Sequence, residues 1–223
     1  MTRTKYSEKA AKDLEKIYKL YEGSEKFIDR GVETEHTMLD FWRWTLSCIY
    51  ESTTRGGFAE FIVKIALDDA GVKKNPSGKT GMDPYDLDGP NINSTKKPSK
   101  IEVKCTSRYH LNQIKGLVPT KTQQFGIGKR RVVDEATGDY PDDAPKKRNN
   151  DIYVFVIFNG ESIDDSFFDL SLWDFYVLPT KAIDNDPVYK DRANISLKAV
   201  QERCRKLAYE ELAEELVKVC DCL

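Results

Sequence analysis

The sequence lacks any apolar run of the roughly 18 to 20 residues that a membrane-spanning helix requires. Residues 1–19 carry Lys and Glu throughout and contain no apolar core of a secretory signal. These two absences predict a soluble protein that stays in the cytoplasm and has no membrane partner.

Soft metal ligands are scarce as well, with two histidines and five cysteines among 223 residues. The cysteines are odd in number and have neither the paired spacing of a zinc site nor that of a disulfide framework. The sequence therefore predicts reduced thiols and argues against a zinc protein.

Charge is abundant but unevenly distributed. The formal net charge is -2, yet between Lys96 and Arg131 ten basic side chains accompany one acid, Glu102. Such a block neutralises phosphates locally, while the acidic remainder of the chain limits indiscriminate adhesion. The alternative is a basic loop that is simply solvated.

Hydrophobic residues make up 39% of the chain, enough for one compact domain beneath a charged surface. Apolar periodicity and Gly/Pro punctuation predict its elements. Helices are predicted at 7–21, 34–50, 58–70 and 196–219, with a break at 52–57, and strands at 82–87, 101–105, 152–158 and 173–178. We therefore expect an α/β fold with a mixed sheet flanked by helices. A helical N-terminal region, residues 1–54, would pack on a core formed by residues 55–223.

The strand at 101–105 alternates apolar and charged residues. Glu102 and Lys104 share one face, and Ile101, Val103 and Cys105 share the other. A carboxylate and an ammonium fixed side by side suit metal-assisted phosphodiester hydrolysis. This is the one acid-x-Lys triplet in the chain, although chance alone gives about four such matches. An exposed ion pair on an amphipathic strand is the plain alternative.

Further acids precede this strand. Two antiparallel strands joined by a turn would bring Asp86 beside Glu102, and neighbouring carboxylates repel unless a divalent cation lies between them. Oxygen ligands favour Mg²⁺ or Mn²⁺. Asp83 and Asp88 are rival ligands, since Asp is also a common turn residue. Glu60 offers a third carboxylate, or merely complements a helix dipole.

The order of these residues resembles that in the PD-(D/E)XK nucleases, the restriction-endonuclease-like superfamily. A helical Glu60 comes first, Asp86 follows, and Glu102-Val103-Lys104 comes last. Residues 151–155 and 173–180 are similar to a bacterial branch of that superfamily, so the resemblance spans roughly residues 55–197. It implies a restriction-endonuclease-like core with a family-specific helical N-terminus.

The resemblance also implies residue roles. Asp86 and Glu102 would bind Mg²⁺ with the Val103 carbonyl, Lys104 would assist the attacking water, and Glu60 would reach a metal directly or through water.

This sequence departs from the family pattern in two places. The connection before Glu102 is longer, with the extra stretch 91–100, which leaves Asp83 as an alternative to Asp86. A Gln expected soon after the Lys is displaced here to Gln113, or to Gln123 and Gln124.

Two basic clusters are predicted to contact phosphates or to be solvated turns. They comprise Lys129, Arg130, Arg131, Lys146, Lys147 and Arg148.

The leading hypothesis is a Mg²⁺-dependent DNA endonuclease of restriction or phage-defence type, working as a homodimer. One alternative is an inactive nucleic-acid-binding module of the same fold. Another is a partner-binding protein that uses its aromatic N-terminal helices.

Overall fold

A computed structural model describes residues 20–73, 84–132 and 141–223. The strands, numbered in chain order, are β1 (Lys26–Asp29), β2 (Val32–Thr37), β3 (Leu87–Asn91), β4 (Pro98–Ser107), β5 (Tyr109–Asn112), β6 (Gly116–Pro119), β7 (Gln124–Gly126), β8 (Arg130–Arg131), β9 (Lys146–Lys147), β10 (Ile152–Phe158), β11 (Trp173–Pro179) and β12 (Asn194–Ser196). The α-helices are α1 (Met38–Leu46), α2 (Ser52–Asp69), α3 (Thr180–Asp184), α4 (Leu197–Gln201) and α5 (Tyr209–Asp221). The predicted helix at 7–21 lies largely outside these residues.

A four-stranded sheet in the order β11-β10-β4-β3 forms the centre of the fold. Strands β4 and β10 run parallel, while β3 and β11 pair antiparallel at the two edges. The mixed sheet and the α/β class match the prediction. Strand β10 is buried along all seven residues, as its continuous apolar sequence predicts for a central strand.

The two faces of the sheet are covered differently. Helices α2 and α5 cover one face, where Val63 and Leu216 join Val103 and Val154 in a buried cluster. The other face buries Phe155 under Phe125 and residues of α3 and α4. Glu102 is a buried polar residue at the border of this second cluster, directly across from its member Tyr153.

The N-terminal region is not wholly helical, which corrects the prediction for residues 1–54. Strands β1 and β2 form a hairpin, and α1 begins only at Met38. Thr37 ends the strand and starts the helix because its hydroxyl accepts from the Asp40 amide in a capping box. Across Met38–Leu46, α1 buries no residue, and Trp44 is 84% exposed.

Two further predicted boundaries were wrong. Helix α2 starts at Ser52 rather than after the glycines, because the Glu51 side chain accepts from the Thr54 amide and caps it. Glu60 is therefore in the middle of the helix. The predicted helix at 196–219 is interrupted at 202–208, where Leu207 exchanges backbone hydrogen bonds with Phe175 of β11.

The strand predicted at 82–87 is shifted, since β3 begins at Leu87. Close packing selects Gly89 here, because a Cβ at this position would lie 2.6 Å from Ile101 Cδ1. Among the helices of the described residues, none is long and apolar enough to span a membrane.

Candidate active site

The β3–β4 pairing brings Asp86 against the backbone of β4. The Asp86 amide donates to the Ile101 carbonyl at 2.9 Å, and Asp86 Oδ2 accepts from the Val103 amide at 2.8 Å. Because the N–H and C=O of a strand residue point to the same edge, the Val103 carbonyl also faces the β3 side. Asp86 thus lies beside the Glu102–Lys104 segment, as the sequence predicts.

Glu102 is nearly buried, with 7% of its side chain exposed. Lys104 Nζ donates to Glu102 Oε1, and Arg130 Nη2 lies 3.5 Å from the same oxygen. A buried carboxylate requires such compensation, since transfer of an unpaired charge from water is costly. The carboxylate is therefore held in place by two cations from different parts of the chain.

Glu60 lies on α2, within electrostatic reach of Cys105. Its carboxylate is close enough to Cys105 to act on the thiol, whose pKa is raised to about 12 by burial first and by Glu60 among lesser causes. Cys105 projects to the face of β4 opposite to Glu102 and Lys104, because side chains alternate along a strand. Among the described residues, Glu60 is not part of a group of three or more His, Cys, Asp or Glu side chains placed to hold a metal ion, and its role as a third ligand stays a prediction.

The remaining oxygen donors are the carboxylates of Asp86 and Glu102 and the Val103 carbonyl. Their chemistry suits a hard cation such as Mg²⁺. Within residues 20–73, 84–132 and 141–223, no group of three or more His, Cys, Asp or Glu side chains is placed to hold a metal ion. Asp83, the rival ligand, lies outside the described residues.

Strands β8 and β9 place cations opposite one another beside this site. Arg130 pairs with Lys147, and Arg131 pairs with Lys146. All four residues are exposed. Like charges directly across a strand pair destabilise it. Arg130 is partly compensated by Glu102, and Arg131 by Asp142 at 2.9 Å. A cationic pair of this kind is suited to bind an anion.

A pocket of about 320 Å³ lies between Glu102 and these strands. Among the described residues that line it, Glu102 supplies the only carboxylate. Its cationic lining residues are Lys104, Lys129, Arg130, Lys147 and Arg148. Lys129 also binds Asp191 at 2.8 Å. The excess of positive charge suits a phosphate group.

Arg148 differs from its predicted role as a phosphate contact. It borders the pocket, but its side chain is fully buried. Its guanidinium donates to the Ile127 carbonyl at 2.7 Å and to Asp184 Oδ1 at 2.5 Å. Three more carbonyls, from residues 189, 190 and 192, accept from it at 3.1–3.5 Å. Arg148 therefore anchors the chain around the pocket.

Sequence reasoning missed Tyr153, which also lines the pocket. It is adjacent to Glu102 in the parallel register of β4 and β10 and therefore shares its face. Burial raises the pKa of Tyr153 to about 12, so the phenol remains a hydrogen-bond donor at neutral pH. The alternation along β10 would have placed Tyr153 here, had the strand register been known.

The positions of Gln113, Gln123 and Gln124 in the structure do not assign a catalytic role to any of them. Gln123 Nε2 donates to the Thr120 carbonyl at 2.9 Å, and Gln124 is an exposed residue of β7. Gln113 is exposed in the turn between β5 and β6.

No protein-family model, curated protein or solved structure matches this chain. The geometry of the site therefore carries the functional argument.

Proposed function

We propose that the protein is a metal-dependent phosphodiesterase that cuts DNA, built on a restriction-endonuclease-like core. The contact between Asp86 Oδ2 and the Val103 amide carries this proposal, because it sets a carboxylate beside the strand that bears Glu102 and Lys104. The exposed cations of β8 and β9 lie next to that strand, where they would hold a phosphate backbone.

Asp86, Glu102 and the Val103 carbonyl would hold Mg²⁺, with Mn²⁺ as a substitute, and the cation would supply positive charge to the scissile phosphate. Lys104 would donate a hydrogen bond to the attacking water or to a phosphate oxygen as negative charge develops. Arg130 and Lys147 would orient the DNA backbone.

The test is incubation of purified protein with supercoiled plasmid in Mg²⁺, in Mn²⁺ and in EDTA. We expect cleavage in either metal and none in EDTA. Lys104→Ala and Asp86→Asn should each reduce the rate by about 10²-fold or more, the scale of losing one group that stabilises transition-state charge.

The matched control for Lys104 is Lys64→Ala. Lys64 is similarly exposed, at 27% against 23%, and is also paired with a carboxylate. For Asp86 the comparison is Asp88→Asn, which separates the two candidate ligands. Equal loss of activity in Lys64→Ala, or full activity in Asp86→Asn, would contradict the assigned roles.

A second candidate function is DNA binding without cleavage. It is favoured by the compensation of Glu102 by Lys104 and Arg130, which leaves less negative charge to attract a cation. Under this alternative the protein binds duplex DNA at low salt, but plasmid remains intact in both metals.

Two such sites, one on each strand, would cut both strands of a duplex in one binding event. We therefore propose a homodimer as the active form. Sedimentation velocity with and without a short duplex would measure its mass, and a monomer that cuts both strands would argue against a dimer.

A further inference from the structure

Strands β5 and β6 form a two-stranded ribbon separate from the central sheet. It follows β4 after a single residue, so it is joined directly to the strand that carries Glu102 and Lys104. Its base is fixed by the Arg108 amide, which donates to the Phe158 carbonyl at 3.0 Å, and by the Thr120 amide, which donates to the Arg108 carbonyl at 2.7 Å. The ribbon is thus held in a defined direction relative to the site.

The turn at the tip is also well defined. Asn112 pairs with Gly116 across a three-residue loop, and Gly116 has a positive φ of 71°. Asn112 Oδ1 accepts from the amides of Ile114 and Lys115 at 3.0 and 2.9 Å. This is a hairpin loop that ends in a left-handed residue and is locked by its own Asn side chain. The tip side chains are presented from a rigid backbone.

The surface of the ribbon is apolar, with one lysine and no acidic residue. Ile114 is 94% exposed and Leu111 is 47% exposed. Gln113 and Lys115 flank Ile114 and are exposed. From residue 103 to residue 131 the chain contains no Asp or Glu. These side chains contribute little to the core, and their charge is complementary to a polyanion.

We infer that the β5–β6 ribbon is the base-contacting element of the DNA interface and enters the major groove. This inference rests on the proposed function. The groove of B-DNA, about 12 Å wide, admits a two-stranded ribbon. Gln113 is suited to pair with the N6 and N7 edge of adenine, Ile114 contacts a thymine methyl, and Lys115 contacts a phosphate. The contacted bases therefore include A·T pairs.

The position of the tip limits where those bases lie. Ile114 is ten residues beyond Lys104, a span of at most about 33 Å at 3.3 Å per residue. One base step spans about 3.4 Å along a strand. The contacted bases therefore lie within about ten base pairs of the phosphate at Lys104.

The experiment is selection of bound sequences from a library of duplexes with a randomised centre, using the full chain with Asp86→Asn so that cleavage does not interfere. We expect a motif that contains A·T pairs. Gln113→Ala and Ile114→Ala should each flatten part of the motif and weaken binding to it about tenfold or more. Lys115→Ala should keep the motif and lower the slope of log affinity against log salt by about 1.

The matched control is Ile163→Ala, since Ile163 is also largely exposed, at 67%, but lies outside the ribbon. It should leave both the motif and the affinity unchanged. The inference would be overturned if Gln113→Ala and Ile114→Ala both kept the motif, or if the Asp86→Asn parent enriched no motif. Metal-dependent plasmid cleavage by the wild-type protein would show that the proposed function is still valid in that case. Absence of both DNA binding and cleavage would overturn the inference together with the proposed function.

Discussion

Substitution of Arg148 by Ala separates an anchoring role from a DNA-binding role. The Arg148 side chain is 0% exposed, and its guanidinium donates five hydrogen bonds, four to carbonyls and one to Asp184. The substitution removes all of them and leaves a space behind the pocket.

The expected loss of unfolding free energy follows from these contacts. At about 1 kcal/mol net per hydrogen bond, five bonds give about 5 kcal/mol. Asp184 and the peripheral carbonyls regain water in the variant, because the Asp184 side chain is already 45% exposed. We therefore expect about 3–5 kcal/mol, a large part of the roughly 5–15 kcal/mol that stabilises a typical domain.

Urea unfolding followed by tryptophan fluorescence measures this loss. With a slope of about 2–3 kcal/mol per molar, the midpoint should fall by about 1–2.5 M. The control is Arg131→Ala, whose ion pair with the 99% exposed Asp142 contributes about 0–1 kcal/mol. Arg148→Lys should be intermediate, because an ammonium keeps the charge but loses the planar fork.

One result would refute this reasoning. Suppose that the free energy of unfolding of Arg148→Ala lies within about 1 kcal/mol of that of the parent, and that this variant binds DNA as weakly as Arg131→Ala does. Arg148 would then contact phosphate, and its buried hydrogen bonds would not be what stabilises this region.

Three other predictions concern separate parts of the molecule. Gly89→Ala should lower the free energy of unfolding measured in urea by about 1–3 kcal/mol, because the new Cβ would lie 2.6 Å from Ile101 Cδ1 of β4. Gly57→Ala, on an open helix surface, should raise it by about 0.5–1 kcal/mol. Similar values for both variants would contradict the packing argument. Cys105 should be alkylated by iodoacetamide at pH 8 much more slowly than the exposed Cys48, since burial raises the pKa of Cys105 to about 12; peptide mass spectrometry would detect equal labelling, which would disprove it. Lys147→Ala should leave the thermal midpoint unchanged or raised, because Lys147 faces another cation across β8 and β9, and should weaken DNA binding in anisotropy titrations; a lower midpoint would show that the pairing is not strained by charge.

Apolar patterns predicted the centre of the fold well. Strands β10 and β11 are nearly continuous apolar segments whose burial leaves them little choice of conformation. The β4 strand was predicted because it alternates, and this alternation also placed Glu102 and Lys104 on one face. The position of Asp86 beside Glu102 was predicted because a turn-rich connection joins two strands that were expected to pair antiparallel.

Element boundaries were less predictable, because they depend on caps and tertiary contacts. Gly56 and Gly57 suggest a break, yet the Glu51 cap starts α2 ahead of them. Leu207 fits a helical stripe, but its pairing with Phe175 interrupts the helix. Propensity is a weak prior that packing overrides.

The candidate site was predictable only in part, because some of its residues are positioned by tertiary contacts. Local spacing identified Glu102 and Lys104, whereas the position of Glu60 depends on which face of the sheet α2 covers. Arg148 looks like its basic neighbours in sequence, but its acceptors lie 21 to 44 residues away. Only the folded chain distinguishes a buried cation from exposed ones.

The parallel pairing of β4 with β10 joins residues about fifty positions apart, as Ile101 lies opposite Ile152. The long crossover between them holds β5 to β9, and with them the ribbon and the opposed cations. Surface connections tolerate insertion and replacement better than the strands they link. Evolution, or an engineer, is therefore able to exchange the exposed ribbon of this crossover, residues 109–119, between related chains and so alter the binding surface, while Phe125 and Arg148 keep the hydrophobic framework beneath it in place.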